Sequence, residues 1–550
     1  MDYNEKLYNV FSSGEQRLES WMAAVFTKEY DHNMTIDEFR DILSESDEYM
    51  VLEFNEIEES NFIRDKSKWE ASIKLQYLPM VMDEDDHSCG CGHDEGGCCQ
   101  DDEEHSCGCG HNHDDEEHSC GCGHNHDDEE HSCGCGHDEG GCCQDDEEHS
   151  CGCGHNHDDE EHSCGCGHNH DDEEHSCGCG HNHDEEENND ELSFYVALVD
   201  ASSVTENVPE IFSVNTVRED DYKEACQCKY AVHVSTIFDN HPLTDYQRQL
   251  KLLDSLVPEC SIFLDMSCYT AHSGDWLSYT STFALPPSLD YLYTIHAVYD
   301  DDKDPNKVEY WFHTHGLYRV GSIELEIVGV EDSNAAYGAL LNTCAKMFIE
   351  RGVPEAGFKF NPAYNTYVCW FPWQEALKKL NIADDVTGSA KDRNDGVHNT
   401  PSGILLAVDA DGNYHSLDYY KNELTDNPMF MMSYFETSLM REAAFEKLEY
   451  FLELLNKNKG DEKTSFLVKL GYGETEENPN DLEHLWFDVH GFTNEGYFDA
   501  TLINEPYKDL GMHEGDRGMH SIERLTDWEI YTEENNYNSR NIYLLFQEEE

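Results

Sequence analysis

The sequence predicts an α+β protein made of several small mixed α/β domains, a mostly β C-terminal domain and a long disordered acidic Cys/His insertion. The chain alternates short strand patterns with amphipathic helix patterns. Its 550 residues suffice for three or four domains. Residues 83–187 contain no Val, Ile, Leu, Phe, Tyr or Trp. A stretch without these side chains cannot bury a core, so disorder is expected there.

The N-terminal α+β domain is predicted to comprise residues 1–82 and 188–240, with residues 83–187 inserted in a surface loop. Long insertions in such loops carry a small entropic cost. A capping box at Thr35-Ile36-Asp37-Glu38 predicts the start of a helix, and Met34 and Phe39 stand where a hydrophobic staple would close it. Strands are predicted at 21–26, 49–54, 72–77 and 192–199.

A second α+β domain is predicted over residues 241–383, followed by a polar linker over 384–402. The domain's predicted helices are 244–257 and 335–351, and its predicted strands are 261–264, 291–299, 310–315 and 322–330. The segment 403–462 combines a hairpin, signalled by Asp411-Gly412, with one long helix over 431–456.

The last segment, residues 463–550, carries a recognisable set of motifs. These are His484-Leu485-Trp486-Phe487-Asp488-Val489, Leu502-Ile503-Asn504-Glu505-Pro506, Gly515-Asp516-Arg517 and Asp527-Trp528. Over about 65 residues this segment resembles the YegJ-like bacterial domain of unknown function. The resemblance implies a small, mostly β domain and supplies no catalytic residue.

The insertion is an array in which the unit His-Ser-Cys-Gly-Cys-Gly-His occurs seven times. Cys-x-Cys brings two thiolates to one ion, the glycines let the backbone turn tightly, and the histidines add imidazole nitrogen. This donor set suits Zn²⁺ best and also accepts Cu(I) or Ni²⁺. The array resembles the metal-binding tail of the SlyD-type prolyl isomerases. The predicted ligands are His87, Cys89, Cys91, His93, Cys98, Cys99, His105, Cys107, Cys109, His111, His113, His118, Cys120, Cys122, His124, His126, His131, Cys133, Cys135, His137, Cys142, Cys143, His149, Cys151, Cys153, His155, His157, His162, Cys164, Cys166, His168, His170, His175, Cys177, Cys179, His181 and His183.

The charge is strongly acidic, with 118 Asp and Glu against 34 Lys and Arg. The array holds 36 of these acids and no Lys or Arg, so the rest of the chain still carries −48 of the net −84. Such a surface repels nucleic acid and anionic membranes and favours metal cations or a basic protein partner. The N-terminus lacks an apolar signal segment, which favours a cytoplasmic protein.

Outside the array, His313 and His315 alternate on one predicted strand, and Glu324 and Glu326 alternate on the next. If the strands pair, the four side chains could converge on an ion, but an exposed polar strand face is the favoured interpretation. A second set, Cys226, Cys228 and His233, lacks further suitably spaced thiols and is not expected to bind metal. Four more cysteines occupy apolar contexts and are predicted to be buried; these are Cys260, Cys268, Cys344 and Cys369.

The most defensible function from sequence is metal-ion binding, as a buffer, store or carrier. The alternative is an acidic protein-interaction or immunity-type protein in which the repeats are an incidental expansion. A weaker third hypothesis is a hydrolase that uses the face of His313 and His315. The linear motifs of Ser hydrolases, P-loop NTPases, zinc proteases and dinucleotide-binding enzymes are missing, so an enzyme is the less favoured class.

Overall fold

The computed structural model describes residues 19–58, 67–78, 190–299, 309–330 and 335–547, with short gaps at 207, 209–211, 240, 385, 394–397, 399, 426–429, 432–433, 459–462 and 474–481. The predicted disorder of the array and the side chains of all its predicted ligands fall outside these residues; within 126–176 only the backbone of strands two to four residues long is described. Elsewhere the α+β class is confirmed, because helices and three β-sheets make up the described chain.

The first sheet has eight strands. In spatial order they are β5 (Ser213–Thr216), β8 (Thr270–Ser273), β7 (Ile262–Asp265), β1 (Glu19–Val25), β6 (Tyr230–Ile237), β4 (Glu191–Asp200), β3 (Ser67–Tyr77) and β2 (Tyr49–Glu56). Its helices are α1 (Ile36–Glu45), α2 (Ser202–Thr205), α3 (Glu219–Ala225), α4 (Pro242–Leu256) and α5 (Gly274–Thr280). Helix α1 starts at the predicted capping box, where the Thr35 hydroxyl accepts from the backbone of Glu38 and the Glu38 carboxylate accepts from the backbone of Thr35.

The array joins two neighbouring strands of this sheet. Strands β3 and β4 pair antiparallel, with Gln76 opposite Glu191, so the two ends that flank the array lie side by side. The sheet also extends past residue 240, where the sequence placed a domain boundary, because β7 pairs with β1. The apolar patterns of these strands predict their existence but not which strand each one pairs with.

The second sheet carries the candidate site. Its strands are, in order, β9 (Thr294–Tyr299), β10 (Tyr310–His315), β11 (Glu324–Val330), β14 (Ser402–Val408), β13 (Thr366–Pro372) and β12 (Phe360–Ala363), with β15 (Tyr414–His415) pairing beside β14. Helices α6 (Ala335–Arg351), α7 (Trp373–Leu380) and α8 (Lys421–Thr425) accompany it. Strands β11 and β14 pair in parallel at the centre, which explains their nearly continuous burial. The segment 403–462 therefore contributes β14 to this sheet.

The predicted linker at 384–402 is not a free connector. It contains a 3₁₀ turn, Ala390–Arg393, and its side chains Thr387, Ser389 and Arg393 are buried. Polar composition pointed to a solvated loop, yet the charge of Arg393 is compensated inside the protein by Glu326. Such compensation between residues distant in sequence leaves no signal in local composition.

A buried ion pair ties the first two sheets together. Arg319, in the 3₁₀ turn Leu317–Val320 that follows β10, lies 2.8 Å from the carboxylate of Asp265 at the end of β7. Arg319 also donates to the backbone oxygen of Leu292 and to the hydroxyl of Ser20. With every charged group partnered, this contact fixes the end of the strand that carries His313 and His315.

The C-terminal sheet is antiparallel throughout, as the mostly β prediction requires. Its order is β19 (Arg517–Ser521), β18 (Tyr497–Leu502), β17 (Glu483–Phe492), β16 (Ser465–Tyr472), β20 (Leu525–Tyr531) and β21 (Asn536–Asn538). Helix α11 (Tyr543–Gln547) follows it. The single long helix predicted over 431–456 is two helices, α9 (Tyr434–Glu446) and α10 (Leu448–Lys457), which break at Lys447. The Lys447 ammonium donates to the hydroxyl of Thr282, a contact the helical pattern could not reveal.

Among the helices of the described residues, none combines the length and the apolar character that crossing a membrane requires.

Candidate metal centre

Two neighbouring strands place three histidines together. Strands β9 and β10 pair antiparallel, with His296 directly opposite His313, and His315 follows two residues along on the same face. The ring centroids are 5.7 Å apart for His296 and His313, 5.0 Å for His296 and His315, and 4.8 Å for His313 and His315. Each ring offers one nitrogen within 4.8 Å of those of the other two. Nitrogens bound to one tetrahedral Zn²⁺ stand about 3.3 Å apart, so the three side chains would have to move closer together to hold one ion.

A fourth imidazole arrives from the segment between α7 and β14. His398 Nε2 lies 3.2 Å from His313 Nε2, and the His398 ring is 5.3 Å from that of His315. Two nitrogens bound to one tetrahedral Zn²⁺ at its usual bond length stand about 3.3 Å apart. The spacing of His398 and His313 therefore matches one edge of such a coordination tetrahedron.

The histidines of β10 are buried, so the exposed-face interpretation is wrong. His313 is 2% exposed and His315 is 4% exposed. The face is covered because the Trp311 ring packs 4.1 Å from His313 and the Tyr269 ring meets His315 at 4.9 Å. Alternation along the strand correctly predicted a shared face, but it could not show what covers that face.

Burial and the neighbouring histidines lower the pKa of two of these rings. Burial lowers the pKa of His313 well below its usual range, and the neighbouring histidines and Arg393 lower it further. Burial and His398 likewise lower the pKa of His296. Among the described residues, His313 Nδ1 is a buried nitrogen that lacks a hydrogen-bond partner. Neutral imidazole is the form that ligates metal ions.

The two carboxylates predicted to join the site do not do so. The two strands do pair, with His313 opposite Glu326, but both Glu326 oxygens accept from Arg393 at 2.5 Å. Burial by itself raises the pKa of Glu326, and the Arg393 guanidinium outweighs it and holds that pKa below its usual range. Glu324 instead accepts from the Thr314 hydroxyl and the Gly316 backbone, while burial raises its pKa to about 7.

The second predicted set stays apart. Cys226 is exposed, Cys228 donates to the backbone oxygen of Glu224, and His233 lies on the first sheet opposite Ala23. Within the described chain, the only grouping of three potential ligands is His296, His313 and His315. The burial predicted for four isolated cysteines is confirmed for Cys260, Cys268, Cys344 and Cys369.

Sequence reasoning missed two members of the cluster. His296 interrupts the apolar strand segment Ile295-His296-Ala297-Val298, and a lone histidine in a strand is an ambiguous signal. His398 is the single histidine of the presumed linker. Neither position indicates its partner, because the cluster depends on strand pairing and on the path of the segment between α7 and β14.

Three family models match parts of the chain, and all describe domains of unknown function. Residues 160–287 match "Protein of unknown function (DUF4026) N-terminal", and residues 295–406 match "Protein of unknown function (DUF4026) C-terminal". Residues 437–548 match "Uncharacterized protein conserved in bacteria (DUF2314)", so the prediction of an uncharacterised bacterial domain at the C-terminus is confirmed. All four histidines lie within the 295–406 match. No curated protein and no solved structure matches the chain significantly.

Proposed function

We propose that this chain is a transition-metal-binding protein whose folded part holds one ion on His296, His313, His315 and His398. The observation that carries the proposal is the grouping of the His296, His313 and His315 nitrogens within 4.8 Å of one another, with His398 Nε2 3.2 Å from His313 Nε2. A set of imidazole nitrogens suits Zn²⁺, and such sets also accept Cu and Ni.

An ordinary packing role accounts poorly for this cluster. Burying His313 among other histidines opposes its protonation, and an apolar side chain would fill the same space without that cost. A bound cation would give the cluster's inward-facing nitrogens a common partner and would offset the desolvation of the rings.

We propose that the array acts beside this centre as a buffer, store or carrier of the same class of ions. Its seven Cys-x-Cys units with flanking histidines support this role, and so does its resemblance to the tail of the SlyD-type isomerases. We also propose that residues 463–550 form a YegJ-like domain. The rival, an acidic interaction or immunity-type protein, rests on the charge of −48 outside the array.

The test uses a chain shortened by deleting residues 84–187, titrated with Zn²⁺ against a chromogenic chelator. The proposal expects about one tightly bound ion per chain, lost in the double variant His313→Ala/His315→Ala. His272→Ala is the control, because that ring is partly buried and stacks on Trp276 at 4.0 Å. A shortened chain that binds no zinc, or a double variant that still binds it, would contradict the proposal. Copurification with a basic partner in place of metal would favour the rival.

A further inference from the structure

His398 is the one member of the cluster that does not sit on a strand. It follows the 3₁₀ turn Ala390–Arg393 and lies outside the helices and strands. A ligand on such a segment is placed accurately only where neighbouring contacts lock the chain. His398 therefore needs neighbouring contacts that hold it against the sheet.

Arg393 supplies that anchor. Its two terminal nitrogens donate to the two oxygens of Glu326, each at 2.5 Å. They also donate to the Ser402 hydroxyl at 3.1 Å and to the Gly388 backbone oxygen at 2.8 Å. The side chains of Arg393 and Glu326 are only 4% and 2% exposed. The Arg393 guanidinium thus links Gly388, Ser402 and, on strand β11, Glu326.

Trp311 connects this anchor to the histidines. Its indole nitrogen donates to Glu326 at 2.8 Å, and its ring lies 4.1 Å from His313 and 4.7 Å from His398. Gly388 approaches the same ring so closely that a Cβ there would stand 2.7 Å from Trp311 Cγ. The guanidinium, the indole and the Gly388 backbone therefore form one packed wall on which His398 rests.

We propose that Arg393 is a positioning residue that holds His398 as the fourth metal ligand, which makes the centre a closed four-histidine site. This inference rests on the proposed function. The inference also narrows the range of functions open to the centre, because a site with four protein ligands leaves no position for an activated water. A closed site stores, carries or senses the ion, whereas the hydrolase hypothesis requires an open position.

The experiment uses the full chain, with free Zn²⁺ fixed by a metal buffer so that occupancy of the array does not alter the reading. Acylation of His296 by diethylpyrocarbonate, measured on its peptide by mass spectrometry, reports metal protection at this site alone. Losing an outer partner of a metal ligand weakens binding by about 10–100-fold. We expect Arg393→Ala to raise the free Zn²⁺ for half-protection by that factor. His398→Ala should do the same, and the double variant should show no further shift.

The possible results distinguish a failure of the proposed metal binding from a failure of the positioning role of Arg393. If Zn²⁺ does not protect His296 in the unaltered chain, the proposed function fails. If it does, but Arg393→Ala leaves the midpoint unchanged or adds to the effect of His398→Ala, the positioning role alone is overturned. Should Arg393→Ala misfold, Ser402→Ala and Arg393→Lys weaken the anchor more gently, and a midpoint unchanged in both would also overturn it. The acylation of His415, which pairs with Asp409 elsewhere, should be the same in every variant.

Discussion

Replacing Arg393 by alanine should destabilise the second sheet strongly. The change leaves the Glu326 carboxylate, 2% exposed, with the Trp311 indole and the Ser402 hydroxyl as its neutral donors. Breaking a buried, hydrogen-bonded ion pair by removing one partner costs about 3–5 kcal/mol. The matched control is Arg517→Ala, whose pair with Asp499 is largely exposed and should contribute at most about 1 kcal/mol.

The stability lost in Arg393→Ala should depend on pH in a defined direction. In the unaltered chain the pKa of Glu326 is held below its usual range. The stability that ionised Glu326 contributes is therefore fully present above the pKa of this residue in the unfolded chain. It is lost only as pH falls through the folded pKa. Without Arg393, burial dominates and raises the pKa of Glu326, so the variant loses stability as pH rises above about 4.3. The difference between the two proteins should be smallest below the folded pKa of Glu326 in the unaltered chain and should grow as pH rises toward about 7.

Amide hydrogen exchange measured by mass spectrometry suits this test, because a chain with three sheets need not unfold in two states. Peptides covering β10 and β11 report the opening free energy of the affected sheet, and peptides covering β17 and β18 report the unaffected one. A loss below about 1 kcal/mol in β10 and β11, or a loss that does not change with pH, would refute the account of the Arg393–Glu326 pair.

Three further outcomes are expected. Deleting residues 84–187 should leave the thermal midpoint of the metal-free protein nearly unchanged, because Gln76 and Glu191 already lie opposite each other; insoluble protein would contradict this. The full chain should bind about seven more Zn²⁺ than the shortened chain, one per repeat unit, and chelator competition that finds one or none would refute the array's role. Burial, opposed by Glu70, lowers the pKa of His233 to about 4. The folded protein is therefore at full stability, as far as His233 is concerned, above about pH 6.5, and it loses stability as pH falls toward 4. His233→Leu should remove about 3 kcal/mol of that loss in urea unfolding; an unchanged pH dependence would contradict the burial argument.

The sequence predicted the elements around the site well. The strand at 310–315 and the helix over 335–351 match β10 and α6 to the residue, because alternating and helical apolar patterns reflect local geometry. The pairing of His313 with Glu326 was also among the predicted possibilities. These predictions required only neighbouring residues or one adjacent strand.

The ligand set itself could not be predicted in the same way. Glu326 carries the residue type of a metal ligand, but Arg393 reaches it from 67 positions away and takes both of its oxygens. His398 lies in a segment that its polarity marked as a linker. Which side chains share a buried point is decided by contacts between distant segments, and a single sequence records no such contacts.

The most direct test of the central claim is zinc K-edge X-ray absorption on the shortened chain loaded with one equivalent of Zn²⁺. The account predicts four nitrogen neighbours at about 2.0–2.1 Å, with the outer-shell scattering of imidazole. The shortened chain retains Cys226 and Cys228, so a thiolate site is a real competitor. A sulfur neighbour at about 2.3 Å, or a shell of oxygen alone, would contradict the histidine centre.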